Sequence, residues 1–585
     1  MSMIQPLTAC FSLLRRVAIL ALLHSAWCSL LRAEQPGPAP DETRQYDVVI
    51  RGGRIIDGTG NPSYRGDVAV RGDRIVAVGQ LGDASARLEI DANTLVVAPG
   101  FIDIHSHSDF VIFEDPRAES KVRQGVTTEV LGEGTSAGPW YGSLSSPKVV
   151  VRGTERRWTR LKEYFDLVDE AQIAVNVASF VGEGNVWQSV MGTGFERPDP
   201  EQLEQMCGIL DEALRDGAAG LSSLLMMPPG SLATAEDLTA LCRVVARHGA
   251  TFSTHIRNEG TGVFESVREA IEIGERSGAA VDIIHLKIAD QQYWGRMNEV
   301  VGLIEAARER GVNVQANVYP YTRGNNNLVS IIPPWAHEGG QAELLRRLQD
   351  PEQRARMKQD ILNGIPGWYN HYTAVGGDWT RMLISADNLY QGLTMDRVLA
   401  LRAGNQPPGD PLDELFDILL EQQGSVSTVY AHHTDEDMIQ ALIQPWCSVG
   451  SDGSALALDG PLRRGNPHPR SFGTFPRVLG VFVREQKSLR LEDAVRKMTS
   501  MNATRAGIPD RGLLKPGMFA DITIFDPDQV IDRATYSDPF TYCEGIEHVM
   551  VNGEVVFSGG QRTLARPGRA LRRHTAATPA EKRPN

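Results

Sequence analysis

Cysteine is scarce: six residues in 585, and no CxxC pair among them. Cys207, Cys242, Cys447 and Cys543 lie far apart, which excludes a disulfide framework and a zinc ribbon and leaves buried apolar thiols. Long hydrophobic runs are also missing. The apolar stretch Val17-Ala18-Ile19-Leu20-Ala21-Leu22-Leu23 is too short for a membrane span, and no later one is long enough. It follows Arg15-Arg16 and runs out into small and polar residues up to Ala33, so residues 1–33 read as a secretory signal peptide. Export to the periplasm or medium is expected. An excess of positive charge is absent too: 59 Lys and Arg against 73 Asp and Glu give a net charge of −14, which argues against nucleic acid as a partner. No Gly-rich phosphate fingerprint follows the first strand, and this weakens a dinucleotide-binding reading.

What remains is the composition of a large folded protein, 42% hydrophobic and 23% charged, long enough for three or four domain-sized units. After a Pro-rich lead-in at 34–45, residues 46–98 carry short β-rich runs punctuated by glycine, such as Val48-Val49-Ile50 and Val68-Ala69-Val70. A matching stretch returns at 507–563 with Ile522-Thr523-Ile524-Phe525 and Val549-Met550-Val551. The two ends are expected to pair into one small β-sandwich domain, followed by a solvated tail at 564–585.

Between them helix and strand alternate. Leu203, Met206, Leu210 and Leu214 recur at helical spacing before the strand at Gly220-Leu221-Ser222-Ser223-Leu224. The same unit recurs with Leu238, Leu241 and Val245, then with Val267, Ala270 and Ile271, then with Val300, Val301 and Ile304. Such alternation implies an α/β fold with a parallel sheet and helical crossovers, and the count favours a (β/α)8 TIM-type barrel over 99–506. Residues 323–380, with Asn325-Asn326-Asn327 and Pro333-Pro334-Trp335, break the rhythm and read as an insertion near the barrel mouth.

Ligand-type residues sit where these strands end. His105 and His107 follow an apolar run in a His-x-His pattern, which presents both imidazoles on one face of an extended chain. His255 ends Thr251-Phe252-Ser253-Thr254, His285 ends Val281-Asp282-Ile283-Ile284, and Asp452 follows Val449-Gly450-Ser451. The C-terminal face of a barrel is where catalytic groups gather, so these side chains are expected to meet in one metal-binding pocket. By contrast, His432-His433-Thr434-Asp435-Glu436-Asp437 reads as a charged exposed loop.

The run from Gly100 to His107, His255, His285 and Gly450-Ser451-Asp452-Gly453 resemble the metal-dependent amidohydrolase superfamily. Within it, Thr254-His255-Ile256-Arg257-Asn258-Glu259, His285-Leu286-Lys287, Tyr319-Pro320-Tyr321 and the segment from His468 to Arg477 are similar to the D-aminoacylases, the N-acyl-D-amino-acid deacylases. The resemblance runs from Tyr46 to about Gly560. It implies hydrolysis of the linear amide of small N-acyl-D-amino acids, with one or two Zn2+ ions. His105, His107, His255 and His285 would be ligands, Asp452 the proton carrier, Arg470 the clamp for the substrate α-carboxylate, and Lys287 and Tyr319 its helpers. Arg470 paired internally with Asp459 is the other arrangement open to it.

One departure matters. The family places a cysteine ligand after Gly-x-Thr-Thr, whereas this chain has Gly125-Val126-Thr127-Thr128 followed by Gly132-Glu133-Gly134. Glu133 is the nearest coordinating residue, and its harder oxygen would move metal preference toward manganese or cobalt. A cyclic-amide hydrolase of the dihydropyrimidinase or dihydroorotase kind is the alternative, though the bridging lysine of those enzymes is not seen at a strand end. A D-dipeptidase and a metal-free scaffold are the other readings.

Overall fold

A computed structural model describes residues 45–407 and 409–573; the signal-peptide expectation falls outside the described residues. Both ends of the chain meet in one nine-stranded sheet. The N-terminal strands Tyr46–Ile55, Tyr64–Arg71, Arg74–Gly79, Ala86–Asp91 and Val96–Pro99 join the C-terminal strands Ile522–Phe525, Ile546–Val551, Glu554–Ser558 and Gln561–Arg562. The seam is the antiparallel pairing of Val96–Pro99 with Ile522–Phe525, from Val96↔Phe525 to Pro99↔Ile522. Alternation buries Val48, Ile50, Val68, Val70, Ile522 and Ile524 in a single apolar cluster, which commits the sheet to one register.

The central region holds parallel strands in two ladders. Phe101–Asp103, Val126–Leu131 and Asn176–Ser179 form one; Val181–Gly182, Gly220–Leu224, Thr251–His255, Ala280–Ile283, Val314–Val318 and Cys447–Val449 form the other. Only Phe180 separates the ladders along the chain. At their far edges Ser106 and Gly453 form a parallel bridge, Asp452 N–H donates to the His105 carbonyl at 2.8 Å, and Asn502 Nδ2 donates to both the Ile102 and Val449 carbonyls.

The crossover helices follow the sequence pattern. Pro200–Arg215 starts at Asp199, whose carboxylate accepts from Gln202 N–H, with Pro200 in the first turn, and it buries Met206, Leu210, Ala213 and Leu214. Ala235–Arg247, Val263–Ser277 and Met297–Glu309 likewise bury an apolar stripe, and Thr234 caps the first of them by accepting from Asp237 N–H. Burying one such leucine contributes roughly 1.5–3 kcal/mol. Among the described residues no helix is long and apolar enough to cross a membrane.

Two expected boundaries move. The insertion does not end near 380. Gly324–Asn327, Met382–Ile384 and Ser427–Tyr430 form one antiparallel sheet with the last strand in the middle, so the insertion closes only at about 430. It has its own core, including Leu328, Leu348, Met357, Met382, Phe416 and Tyr430. The helices Met395–Ala403 and Pro411–Glu421, followed by the β-branched run to Tyr430, imitate one more helix–strand unit of the parallel ladders in sequence.

The tail expected to be solvated from 564 is instead docked as far as 573. Gly568 and Leu571 donate to the Ile173 and Val177 carbonyls, Val177 donates to Arg569, and Arg573 donates to Gly217. Arg569 pairs with Asp73, and Arg572 pairs with Asp166 and Asp169. The arginines that suggested solvation in the sequence are anchors.

Candidate metal centre and active site

Every predicted ligand lies at or just beyond the C-terminal end of a parallel strand, and all of them converge. Glu133 is the hub. Its Oε2 is 2.8 Å from His105 Nε2 and 3.1 Å from His107 Nε2, and its Oε1 is 3.7 Å from His285 Nε2. Two donor sets result, each with its ligand atoms within 4.8 Å of one another: His105, His107, Glu133 and Asp452, and Glu133, His255 and His285. Glu133 belongs to both. Imidazole nitrogens and carboxylate oxygens in groups of three and four suit a zinc-type divalent cation, with one carboxylate between two positions.

Local backbone and neighbours fix these side chains. His255 Nδ1 donates to the Ile256 carbonyl at 3.1 Å, which leaves Nε2 as a lone-pair donor. His285 and Asp452 adopt left-handed backbone, with φ of 38° and 52°. Such geometry is uncommon for residues with a Cβ and is concentrated at functional sites. Asp452 Oδ1 lies 2.9 Å from His107 Nε2, and Oδ2 lies 2.7 Å from an Arg470 guanidinium nitrogen. Asp459 pairs with Arg117, so the alternative partner proposed for Arg470 is already engaged.

The electrostatics are those of a cation site. Burial would raise the Glu133 carboxyl, but the charge and hydrogen bond of His105, with those of His107 and His285, hold it well below the ordinary range. Burial works the same way on Asp452 and is overcome by Arg470, His105 and His107, so this carboxyl too is held below its usual value. Burial disfavours a charged His107, yet Asp452 and Glu133 raise its pKa to about 10. The pair of carboxylates demands positive charge between them.

Lys287 and Tyr319 are close by but placed differently. Lys287 Nζ is 2.5 Å from Glu259 Oε1 and 2.8 Å from His285 Nδ1, so it stands behind the ligand. Tyr319 is buried, its hydroxyl meets no hydrogen-bonding partner among the described residues, and its ring lies under the Arg470 guanidinium at 4.8 Å.

Sequence reasoning missed several residues here. Glu259 ends the quoted His255 motif but was given no role; it is buried and its Oε1 lies 3.0 Å from His285 Nδ1. Burial would raise its carboxyl, and Lys287, His255 and His285 pull it well down. His432 and His433, expected on an exposed loop, are buried, and His433 Nε2 meets the Tyr321 carbonyl at 2.8 Å. Their doublet is the only sequence signal. Buried Lys121 binds Asp103, Ser451 and the Gly453 carbonyl beneath the centre, tying the first strand to the last.

Residues 88–314 and 424–557 match the amidohydrolase family. The gap between them falls almost entirely within the insertion and the parallel strand before it, Val314–Val318. The N-acyl-D-glutamate deacylase of Alcaligenes xylosoxydans xylosoxydans is 35% identical over 90% of this chain and 97% of its own length. A D-aminoacylase of the same organism is 33% identical over 92% and 99%. The crystal structure of N-acyl-D-glutamate deacylase from Bordetella bronchiseptica, complexed with zinc and a phosphonate mimic of the tetrahedral intermediate, superposes with a TM-score of 0.74 at 32% identity, covering 90% of this chain and 99% of that one. With shared sequence over most of its length and the donor residues gathered at its strand ends, this chain belongs to the amidohydrolase family.

Proposed function

We propose that this protein is a metal-dependent hydrolase that cleaves the linear amide of N-acyl-D-amino acids into a carboxylate and a free D-amino acid. The observation that carries this is the Glu133-centred donor set with Asp452 and Arg470 in contact at its edge. His255 and His285 with Glu133 would hold one cation; His105 and His107 with Glu133 and Asp452 would hold a second. Such a cation, when bound, polarises the amide carbonyl and acidifies the attacking water.

The protein's own groups supply the rest. Asp452 accepts the proton of the attacking water on a carboxylate oxygen and delivers it to the departing nitrogen, which is a poor leaving group until protonated. Arg470 presents a planar fork suited to the substrate α-carboxylate, and Tyr319 supports that fork from below. Lys287 and Glu259 fix the orientation of His285 from behind, so Lys287 is read as a positioning group rather than a direct substrate contact. Neutral His433 and His468, both held uncharged by burial, bracket the site without competing for anions.

The same reading takes the nine parallel strands, with Asn176–Ser179 and Val181–Gly182 counted as one interrupted strand, as a closed (β/α)8 barrel over about 99–506, with the sheet from 46–98 and 507–563 folded as a sandwich beside it. The Ser106–Gly453 bridge and the Asn502 clamp support closure. Export by the N-terminal segment completes the proposal. The cyclic-amide alternative is not favoured: Glu133 stands between the donor sets where a bridging lysine would be, and Lys121 is committed to Asp103.

The test is a panel of N-acetyl-D- and N-acetyl-L-amino acids with a hydantoin, assayed on metal-stripped and zinc-reloaded protein. Zinc-dependent release from the D series is expected. Turnover of the hydantoin alone, or no turnover after reloading, would defeat the reading.

A further inference from the structure

Asp452 and Arg470 open into a cavity of about 350 Å³. One wall of it comes from the insertion. Asn325 lies in Gly324–Asn327, Ser427 begins Ser427–Tyr430, and Ser385 follows Met382–Ile384, so all three strands of the insertion sheet contribute one polar residue each. The three form a closed set: Ser385 Oγ donates to Asn325 Oδ1 at 2.8 Å, the two hydroxyls are 2.7 Å apart, and Ser427 Oγ donates to the same Oδ1 at 3.3 Å. Both hydroxyls converge on the amide oxygen, which turns the Asn325 amide nitrogen toward other acceptors.

The charge inventory of the lining is decisive. Arg470 is bonded to Asp452 and is the α-carboxylate clamp in the reading above. Arg464 is held at the rim by Glu114 through two contacts, 2.9 and 3.0 Å. His468 uses both nitrogens, one on the Arg323 carbonyl and one on Arg470 N–H. The wall facing Arg470 therefore offers hydroxyls and a carboxamide but no uncommitted cation among the described residues.

A substrate's side chain branches from the same carbon as its α-carboxylate, so its first atoms must lie beside Arg470, while the acyl group extends across the scissile nitrogen toward the metal donors. We propose that Asn325, Ser385 and Ser427 are the subsite for the amino-acid side chain, and that they select an uncharged hydrogen-bonding group, a hydroxyl or carboxamide, over a carboxylate. This rests on the deacylase reading. A carboxylate placed there would lose water without gaining a cation, and an aliphatic side chain would leave the Asn325 amide nitrogen without an acceptor.

The experiment compares kcat/KM of the zinc-loaded full chain on N-acetyl-D-alanine, -D-serine, -D-asparagine, -D-leucine and -D-glutamate. Asparagine and serine substrates should exceed the glutamate and leucine ones by about tenfold or more. In Ser427→Ala and Ser385→Ala, the ratio of kcat/KM for the D-asparagine substrate to that for the D-alanine substrate should fall about tenfold, a readout insensitive to the fraction of folded protein. A preference for D-glutamate or D-leucine over D-asparagine, or an unchanged ratio in both variants, overturns the subsite while leaving the deacylase reading intact. Failure to hydrolyse any member, alanine included, overturns both.

Discussion

Two residues of the centre sit in backbone that most side chains avoid. His285 and Asp452, in left-handed conformation, each cost on the order of 1–3 kcal/mol, offset by the surrounding bonds, and the twist turns both side chains toward Glu133. Asparagine tolerates this conformation well, so Asp452→Asn should fold and retain the cation of the Glu133, His255 and His285 set while losing about 10²–10⁴-fold in kcat. Steady-state kinetics beside elemental analysis checks this, and a rate within a few fold of the parent would remove Asp452 from proton transfer. Arg470→Lys trades a fork for a point charge. It should raise KM for N-acyl-D-amino acids about tenfold or more with a smaller change in kcat, and an unaltered KM would remove the clamp. The candidate donors His105, His255 and His285, with Asp452, were legible in the sequence because each follows a short β-rich run, and the structure brings them together. Glu259 and Lys121 were not, because their importance lies in partners that the fold alone brings to them: His285 and Lys287 for one, Asp103 and Ser451 for the other.

At the scale of elements, periodicity revealed the four helices from Pro200–Arg215 to Met297–Glu309, with each apolar stripe beginning three or four residues inside the helix. It misplaced the end of the insertion because its last helix and strand have the same apolar spacing as a helix–strand unit of the parallel ladders; only the pairing of Gly324–Asn327 with Ser427–Tyr430 distinguishes them. The C-terminal segment was misread for a related reason, since a run of arginine says nothing about where the matching aspartates lie. Truncation after Arg566 removes four backbone hydrogen bonds and the pairs to Asp73, Asp166 and Asp169. At about 1 kcal/mol per backbone bond, the truncated protein should melt several degrees lower by calorimetry. An identical melting temperature would mean that the docked segment contributes nothing to stability.

For the whole molecule, stability should depend on pH through a group outside the centre. Glu183 is fully buried, neither of its oxygens meets a donor among the described residues, and burial, only partly countered by Arg257, raises its pKa from 4.5 to about 7. A carboxyl whose folded pKa lies above its unfolded one favours the folded state at low pH and loses that advantage as pH rises from about 4.5 through 7. The penalty at pH 8 is about 3 kcal/mol. Glu183→Gln should therefore raise the melting temperature at pH 8 more than at pH 5, and equal gains at both would sink the assignment.

The seam between Val96–Pro99 and Ile522–Phe525 also governs when this polypeptide can finish folding. The first strands leave the ribosome without their neighbours, and roughly four hundred residues must be synthesised before the missing edge arrives, some tens of seconds at ordinary elongation rates. Until then the growing chain carries an unpaired apolar margin.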